Sequence, residues 1–82
     1  MYAMSIRDVK VTLTSNRNDK REISGDERRC CVEAEEILRS WFWDGYTVAL
    51  DIRSSDTQTR MRVCGYLADV SRELGNEPRV LL

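Results

Sequence analysis

Apolar and polar residues alternate through Ile6–Thr14: Val9, Val11 and Leu13 fall on one side, Asp8, Lys10, Thr12 and Thr14 on the other. This is the period of a strand with one face in a core. The polar run Ser15-Asn16-Arg17-Asn18-Asp19 follows, and its short side chains, which bond to nearby backbone, bend the chain. Residues 20–23 are long enough for a short antiparallel return strand, although four residues with one strong apolar member make a faint pattern. The period then changes to helical: Cys30, Ala34, Ile37, Leu38 and Trp41 form one stripe. Tyr46–Ile52 is rich in strand formers with a nearly continuous apolar centre, as in a strand with neighbours on both edges. A second helical stripe contains Val63, Cys64, Leu67, Val70 and Leu74, and Arg79–Leu82 reads as a short last strand.

Local signals place the helix ends. Ser24-Gly25-Asp26-Glu27 reads as a capping box, with Ser24 accepting from the Glu27 amide and Glu27 reaching back. Ser54 or Ser55 fills the same role for the second helix. Asp44-Gly45 and Gly75-Asn76 are stop signals, and Pro78 keeps the turn clear of helix. The order strand, helix, strand, helix, strand predicts a single α/β domain over 1–82, an α+β two-layer sandwich with a mainly parallel sheet joined by crossovers. Because the first strand has one apolar side, both helices are expected on the same face of the sheet. The other face would then be bare, and Thr12, Thr47, Ala49 and Asp51 on it, beside Lys10, are candidates for a dimer contact.

Composition narrows the function classes. A chain of 82 residues buries only about 60% of its unfolded surface. Its three cysteines cannot complete a disulfide framework, so self-association into a homodimer is the expected further source of stability. Thirteen basic and 14 acidic residues leave a net charge of −1, too balanced to draw the chain generally toward nucleic acid. No apolar run approaches the roughly 18 residues of a membrane span, and the pattern reads as a cytoplasmic protein without cofactor.

Candidate chemistry is sparse. The chain has no histidine, which removes the usual neutral-pH proton carrier and the commonest zinc ligand. Cys30 and Cys31 follow Arg28-Arg29 near a helix start, a setting that can activate a thiol. The apolar stripe already claims Cys30, so core packing is the simpler account. Asp51, Ser54, Ser55 and Asp56 sit where the central strand meets the second helix, but no glycine-rich loop is present and capping explains Ser55 and Asp56.

The surface is more informative. Trp41-Phe42-Trp43 cannot share one side of a helix, because successive residues are rotated by about 100°; Trp43 falls away from the stripe and is a candidate partner anchor. Gly65, inside a helix, costs about 1 kcal/mol relative to alanine. With Arg62, Tyr66 and Asp69 it makes a candidate contact patch.

From Trp41 to Asn76 the chain resembles the core domain of the bacterial cell-division protein SepF. Gly45 with Val48-Ala49-Leu50-Asp51-Ile52 is similar to the family's Gly-x-x-Val-Val-Leu-Asn-Leu strand. Asp56, Arg62-Val63, Tyr66-Leu67-Ala68 and Leu74 match its Asp, Arg-Val, Phe-Leu-Ser and Leu positions. Gly65 and Asp69 depart from that pattern. The resemblance implies a dimeric adaptor that binds the C-terminal peptide of a tubulin-like division protein. The expected function is thus a non-enzymatic, homodimeric protein-interaction domain. The alternatives are a small phage-type or regulatory inhibitor acting by protein binding, and a cysteine-dependent enzyme.

Overall fold

A computed structural model describes residues 8–75 and the backbone of 79–81. The elements follow the order β1 (Val9–Ser15), β2 (Lys20–Gly25), α1 (Glu27–Trp43), β3 (Val48–Ser54), α2 (Thr57–Glu73) and β4 (Arg79–Leu81). They build one four-stranded sheet in the order β2-β1-β3-β4. Ile6, Asn76, Pro78 and Leu82, to which the sequence also assigned roles, lie outside the described residues.

The α/β class holds, but the mainly parallel sheet does not. β1 runs antiparallel to both β2 and β3, and only β3 and β4 run parallel. The cause is the hairpin: residues 20–23 belong to a full strand, β2, which folds back on β1 through a tight turn. In that turn Asn18 takes a left-handed φ of 68°, its N–H donates to the Ser15 carbonyl at 3.1 Å, and the Ser15 N–H donates to the Asp19 carbonyl at 2.9 Å. The Ser15 hydroxyl accepts from the Arg17 and Asp19 amides at 3.1 and 3.2 Å. β2, not β1, therefore feeds α1. β2 and β3 do point the same way, as a strand–helix–strand crossover requires, but β1 fills the gap between them.

The register puts Val11 between Ile23 and Ile52, and Leu13 beside Leu50. These side chains, with Val9 and Val48, form the buried side of the sheet. Cys30, Ala34 and Leu38 from α1 and Val63, Leu67 and Val70 from α2 pack onto that same side. Both helices thus lie on one face, as the alternation of β1 demands. Thr59 and Ser71 are also buried on α2; their hydroxyls donate to Asp56 Oδ2 at 2.5 Å and to the Leu67 carbonyl at 2.9 Å, which removes the cost of burying them. The opposite face carries Lys10, Thr12, Thr14, Ala49, Asp51 and Arg53. Thr47 lies just before β3, where its N–H donates to Asn16 Oδ1 at 3.2 Å and its carbonyl accepts from the Asn16 N–H at 3.0 Å.

The helix caps differ from the sequence expectation. Ser24 is a strand residue, and Asp26 caps α1, its Oδ1 accepting from the Arg29 N–H at 2.8 Å. Gly25 decides this: its φ of 145° is poorly open to other residues, and a Cβ there would lie 3.2 Å from Arg29 Cδ. Asp56, not Ser55, sits at the N-cap of α2, and its carboxylate holds the Thr59 hydroxyl instead of a helix amide. The Ser54 hydroxyl accepts from the Asp56 N–H at 3.2 Å. The stop glycines behave as expected: Gly45 and Gly75 take φ of 83° and 82°.

Asp26→Ala is expected to lower stability by about 1 kcal/mol, whereas Ser24→Ala changes it by a few tenths at most. Urea unfolding of the two variants locates the cap.

Candidate functional site

The polar residues that distinguish this surface gather where α1 and α2 meet. Glu27 and Arg62 form a two-pronged pair, Nε to Oε2 and Nη2 to Oε1, each at 3.0 Å. Arg62 Nη2 also donates to Thr59 Oγ1 at 3.2 Å, which links the pair to the Asp56 cap. One turn further along, the Tyr66 hydroxyl donates to Glu35 Oε1, and Arg39 Nη2 holds the other oxygen of that carboxylate at 2.8 Å. From the first contact to the second both helices advance toward their C-termini, two turns on α1 and one on α2, so they run in the same direction. Two bonds to the Glu35 carboxylate, from Tyr66 and then Arg39, hold it below the usual carboxylate range, and the same bond pushes the Tyr66 phenol up. Glu27 pushes the Arg62 guanidinium further up.

The sequence reading named Arg62 and Tyr66 but missed Glu27 and Glu35. No matched spacing marks them: Arg62 and Tyr66 stand one turn apart on α2, but Glu27 and Glu35 stand two turns apart on α1. Such pairs, 35 and 31 residues apart in sequence, lie beyond any local period.

Outside this seam runs the solvent ridge of α2. At about 100° per residue, Met61, Gly65 and Arg72 point opposite to Val63, Leu67 and Val70. Met61 is 63% exposed and Tyr66 43%. Asp69 stands on the ridge flank, 3.0 Å from Arg72 Nη1. Gly65 is exposed, and a Cβ built there meets no described atom within 4 Å beyond its own helix. The sequence allowed crowding by a neighbour as a reason for this glycine; among the described residues there is none. Trp43, 91% exposed, lies apart, roughly 12 Å along the α1 axis from Glu35. The structure brings Arg62, Gly65, Tyr66 and Asp69 together and leaves Trp43 at the far end of the helix layer.

The proposed sheet contact looks different at atomic detail. Thr12, Ala49 and Asp51 do share the open face, but Lys10 and Lys20 reach Glu22 at 3.8 and 3.6 Å across it, and Arg53 pairs with Asp51 at 3.3 Å. A face so charged does not resemble the apolar centre of a homodimer contact.

The thiols offer little nucleophile. Cys30 is fully buried, its Sγ directed at the Val9 carbonyl at 3.5 Å and the Gly25 carbonyl at 3.7 Å. Burial first, then Cys31 and the Asp26 and Glu33 carboxylates, pushes this thiol up to about 11. Burial also raises Cys31 and Cys64. Near the start of α2 a hollow of about 210 Å³ is lined by Asp51, Arg53, Ser54 and Arg60, but Asp51 already holds Arg53 and the Ser54 hydroxyl already serves the Asp56 amide. Among the described residues, no group of three or more His, Cys, Asp or Glu could hold a metal ion, and no helix is long and apolar enough to cross a membrane.

Compared with known proteins, the chain matches no family model, no curated protein and no solved structure.

Two measurements check the site. In Tyr66→Phe the Glu35 carboxyl should titrate closer to its ordinary range, because its strongest hydrogen bond is gone; carbon-detected NMR titration reads this directly, and an unmoved midpoint would mean the bond is not populated in solution. Since Glu35 is depressed in the folded state, its contribution to stability is present above its unfolded pKa and is lost as pH falls through the folded one. Second, native protein near neutral pH should react with a thiol reagent far more slowly than denatured protein, Cys30 slowest of all.

Proposed function

We propose that this domain is a non-enzymatic protein-interaction module whose contact surface is the solvent ridge of α2. The observation that carries the reading is Gly65. A glycine in the middle of a helix sacrifices about 1 kcal/mol relative to alanine, and here the space beside it is open. No packing within the described chain explains that cost, whereas close approach by another backbone does. Met61 and Tyr66 supply apolar area on either side, and Asp69 and Arg72 supply a polar margin, the arrangement of an apolar centre with a charged rim. Trp43 is a second, separate anchor with the side-chain type enriched in binding hot spots.

The raised thiols and the absence of histidine support binding over cysteine-dependent catalysis. The resemblance of residues 41–76 to the SepF core nominates one partner to test first, the C-terminal peptide of a tubulin-like division protein. A small inhibitor acting on a different protein would use the same ridge.

Two outcomes define the test. Gly65→Ala should raise stability by about 1 kcal/mol, because the added methyl fits the helix and meets no described neighbour. Gly65→Arg and Tyr66→Ala should each weaken a titrated partner by roughly tenfold or more while circular dichroism stays native; fluorescence anisotropy with the nominated peptide, or with a partner captured and then purified, gives the constants. Equal affinity for wild type and both variants would discard the ridge.

A further inference from the structure

The sheet has two edges of different character. β4 contributes three residues at one edge, while β2 presents six at the other. The antiparallel ladder alternates, and counting from the Ser15 N–H bonded to the Asp19 carbonyl, the main-chain groups of Arg21, Ile23 and Gly25 turn toward β1. Those of Lys20, Glu22 and Ser24 turn outward. Beside this edge lies a hollow of about 210 Å³ whose floor is β2 residues 21–24 and whose wall on α1 includes Arg29, Glu33 and Glu36. Arg21 and Arg29 against Glu22, Glu33 and Glu36 give the lining both signs of charge, with a slight acidic excess.

We propose that a second copy of this chain occupies this edge, β2 lying antiparallel against β2 about a two-fold axis at Ile23, so that two four-stranded sheets become one of eight. The surface named here is that of the homodimer; it replaces the charged sheet face and is independent of the α2 ridge.

Register selects the axis. Centred on Glu22, the strands would set Glu22 opposite its own copy, and centred on Arg21 they would set Arg21 opposite Arg21; like charges directly opposite destabilise a sheet. Centred on Ile23, Glu22 faces the second copy's Ser24, Lys20 faces its Asp26, and Ile23 meets Ile23 in the closer, non-hydrogen-bonded kind of pair. About four main-chain hydrogen bonds form between Glu22 and Ser24 of the two copies.

The helix layer permits this approach. Cys30 Sγ is directed at carbonyls of both β1 and β2, so α1 lies above that strand pair. With strands about 4.8 Å apart, a helix centred over β1 and β2 stands about 10 Å from its symmetry mate, the ordinary spacing of packed helices. The strip of α1 that meets the mate holds Arg29, Glu33, Glu36 and Ser40. The antiparallel arrangement brings each Arg29 toward the other copy's Glu36, and it sets the two Glu33 side chains, each paired at 3.0 Å with Arg29 of its own chain, beside the axis. Edge pairing and helix pairing are therefore satisfied by a single symmetry operation.

Sedimentation equilibrium from micromolar to near-millimolar concentration tests the proposal, with circular dichroism as the check on folding. Wild type should dimerise reversibly. Ser24→Pro removes an outward N–H that β1 does not use, and should be monomeric throughout that range with native secondary structure. A second pair gives a sign test that a merely structural role would fail. Within one copy Ser24 stands opposite Lys10; between copies it stands opposite Glu22. Ser24→Glu should thus stabilise the fold at low concentration yet weaken the dimer by roughly fivefold, and Ser24→Lys should do the reverse in both respects. This pair decides the matter even where the proline variant does not fold. A strictly monomeric wild type, a Ser24→Pro dimer as tight as wild type, or two Ser24 variants that move dimerisation in the same direction would each overturn the edge. A dimer abolished by Gly65→Arg and untouched by Ser24→Pro also overturns it, since self-association would then belong to the ridge. Loss of partner binding in Gly65→Arg with dimerisation intact keeps both assignments apart.

Discussion

One-sided burial of β1 governs the architecture. Val9, Val11 and Leu13 are at most 1% exposed, while Lys10, Thr12 and Thr14 between them face water, so β1 can be covered from one side alone. As β1 pairs with both β2 and β3, its pleat sets the side on which Ile23, Leu50 and Ile52 must also point. A one-residue slip in either pairing would turn an apolar strand outward. Both helices are thereby forced into one layer, and the protein is left with a polar sheet face and a helix face exposed to different surroundings.

Two helices side by side in one layer need something to fix their relative position besides apolar packing, which is not directional. The seam supplies it. Glu27 with Arg62, and Glu35 with Tyr66, tie α1 to α2 at two points, and through Thr59 the first of these reaches the Asp56 cap. The exposed Glu27–Arg62 ion pair stabilises little by itself; the geometric effect of the two contacts together is to fix how the helices lie side by side. Arg62 consequently has an intramolecular duty, Tyr66 serves the seam through its hydroxyl while its ring stays partly exposed, and the contact capacity of α2 centres on Met61, Gly65 and that ring, with Arg72 beside them.

Much of this was legible from residue spacing. The faces of β1, the stripes on both helices and the stops at Gly45 and Gly75 follow from periods and backbone preferences that act within a few residues. The sheet order did not, for a physical reason: β2 is an edge strand with a single buried side chain, Ile23, and such a strand leaves almost no apolar period. Reading residues 20–23 as only an optional return strand made β1 look like the strand that feeds α1, and parallel pairing followed. The caps slipped because Ser24 and Asp26 both suit an N-cap by composition, and the choice rests on the backbone angle of Gly25. Thr59 and Ser71 escaped an apolar count because their burial depends on hydrogen bonds to Asp56 and Leu67. Glu27 and Glu35 escaped because their partners come from a different helix.

The same economy of a small domain bears on where its contacts lie. A chain this short has little core to spare, so a local feature that costs stability without a partner inside the chain is informative about what lies outside it. Gly65 is one such feature, and the six-residue β2 edge, with main-chain groups turned outward, is another. They sit on opposite flanks: α2 packs beside β3, whereas β2 lies beyond β1 at the far side of the sheet. Pairing two copies at the β2 edge would bury neither α2 ridge and would carry both on the same face of the joined sheet, since every helix lies on one side of it. The resulting particle presents two ridges related by the two-fold axis, and a partner that is itself repeated would meet them together, gaining effective concentration without any further contact on this chain. Self-association at the β2 edge and partner binding at the α2 ridge would then be additive and not competing uses of the surface.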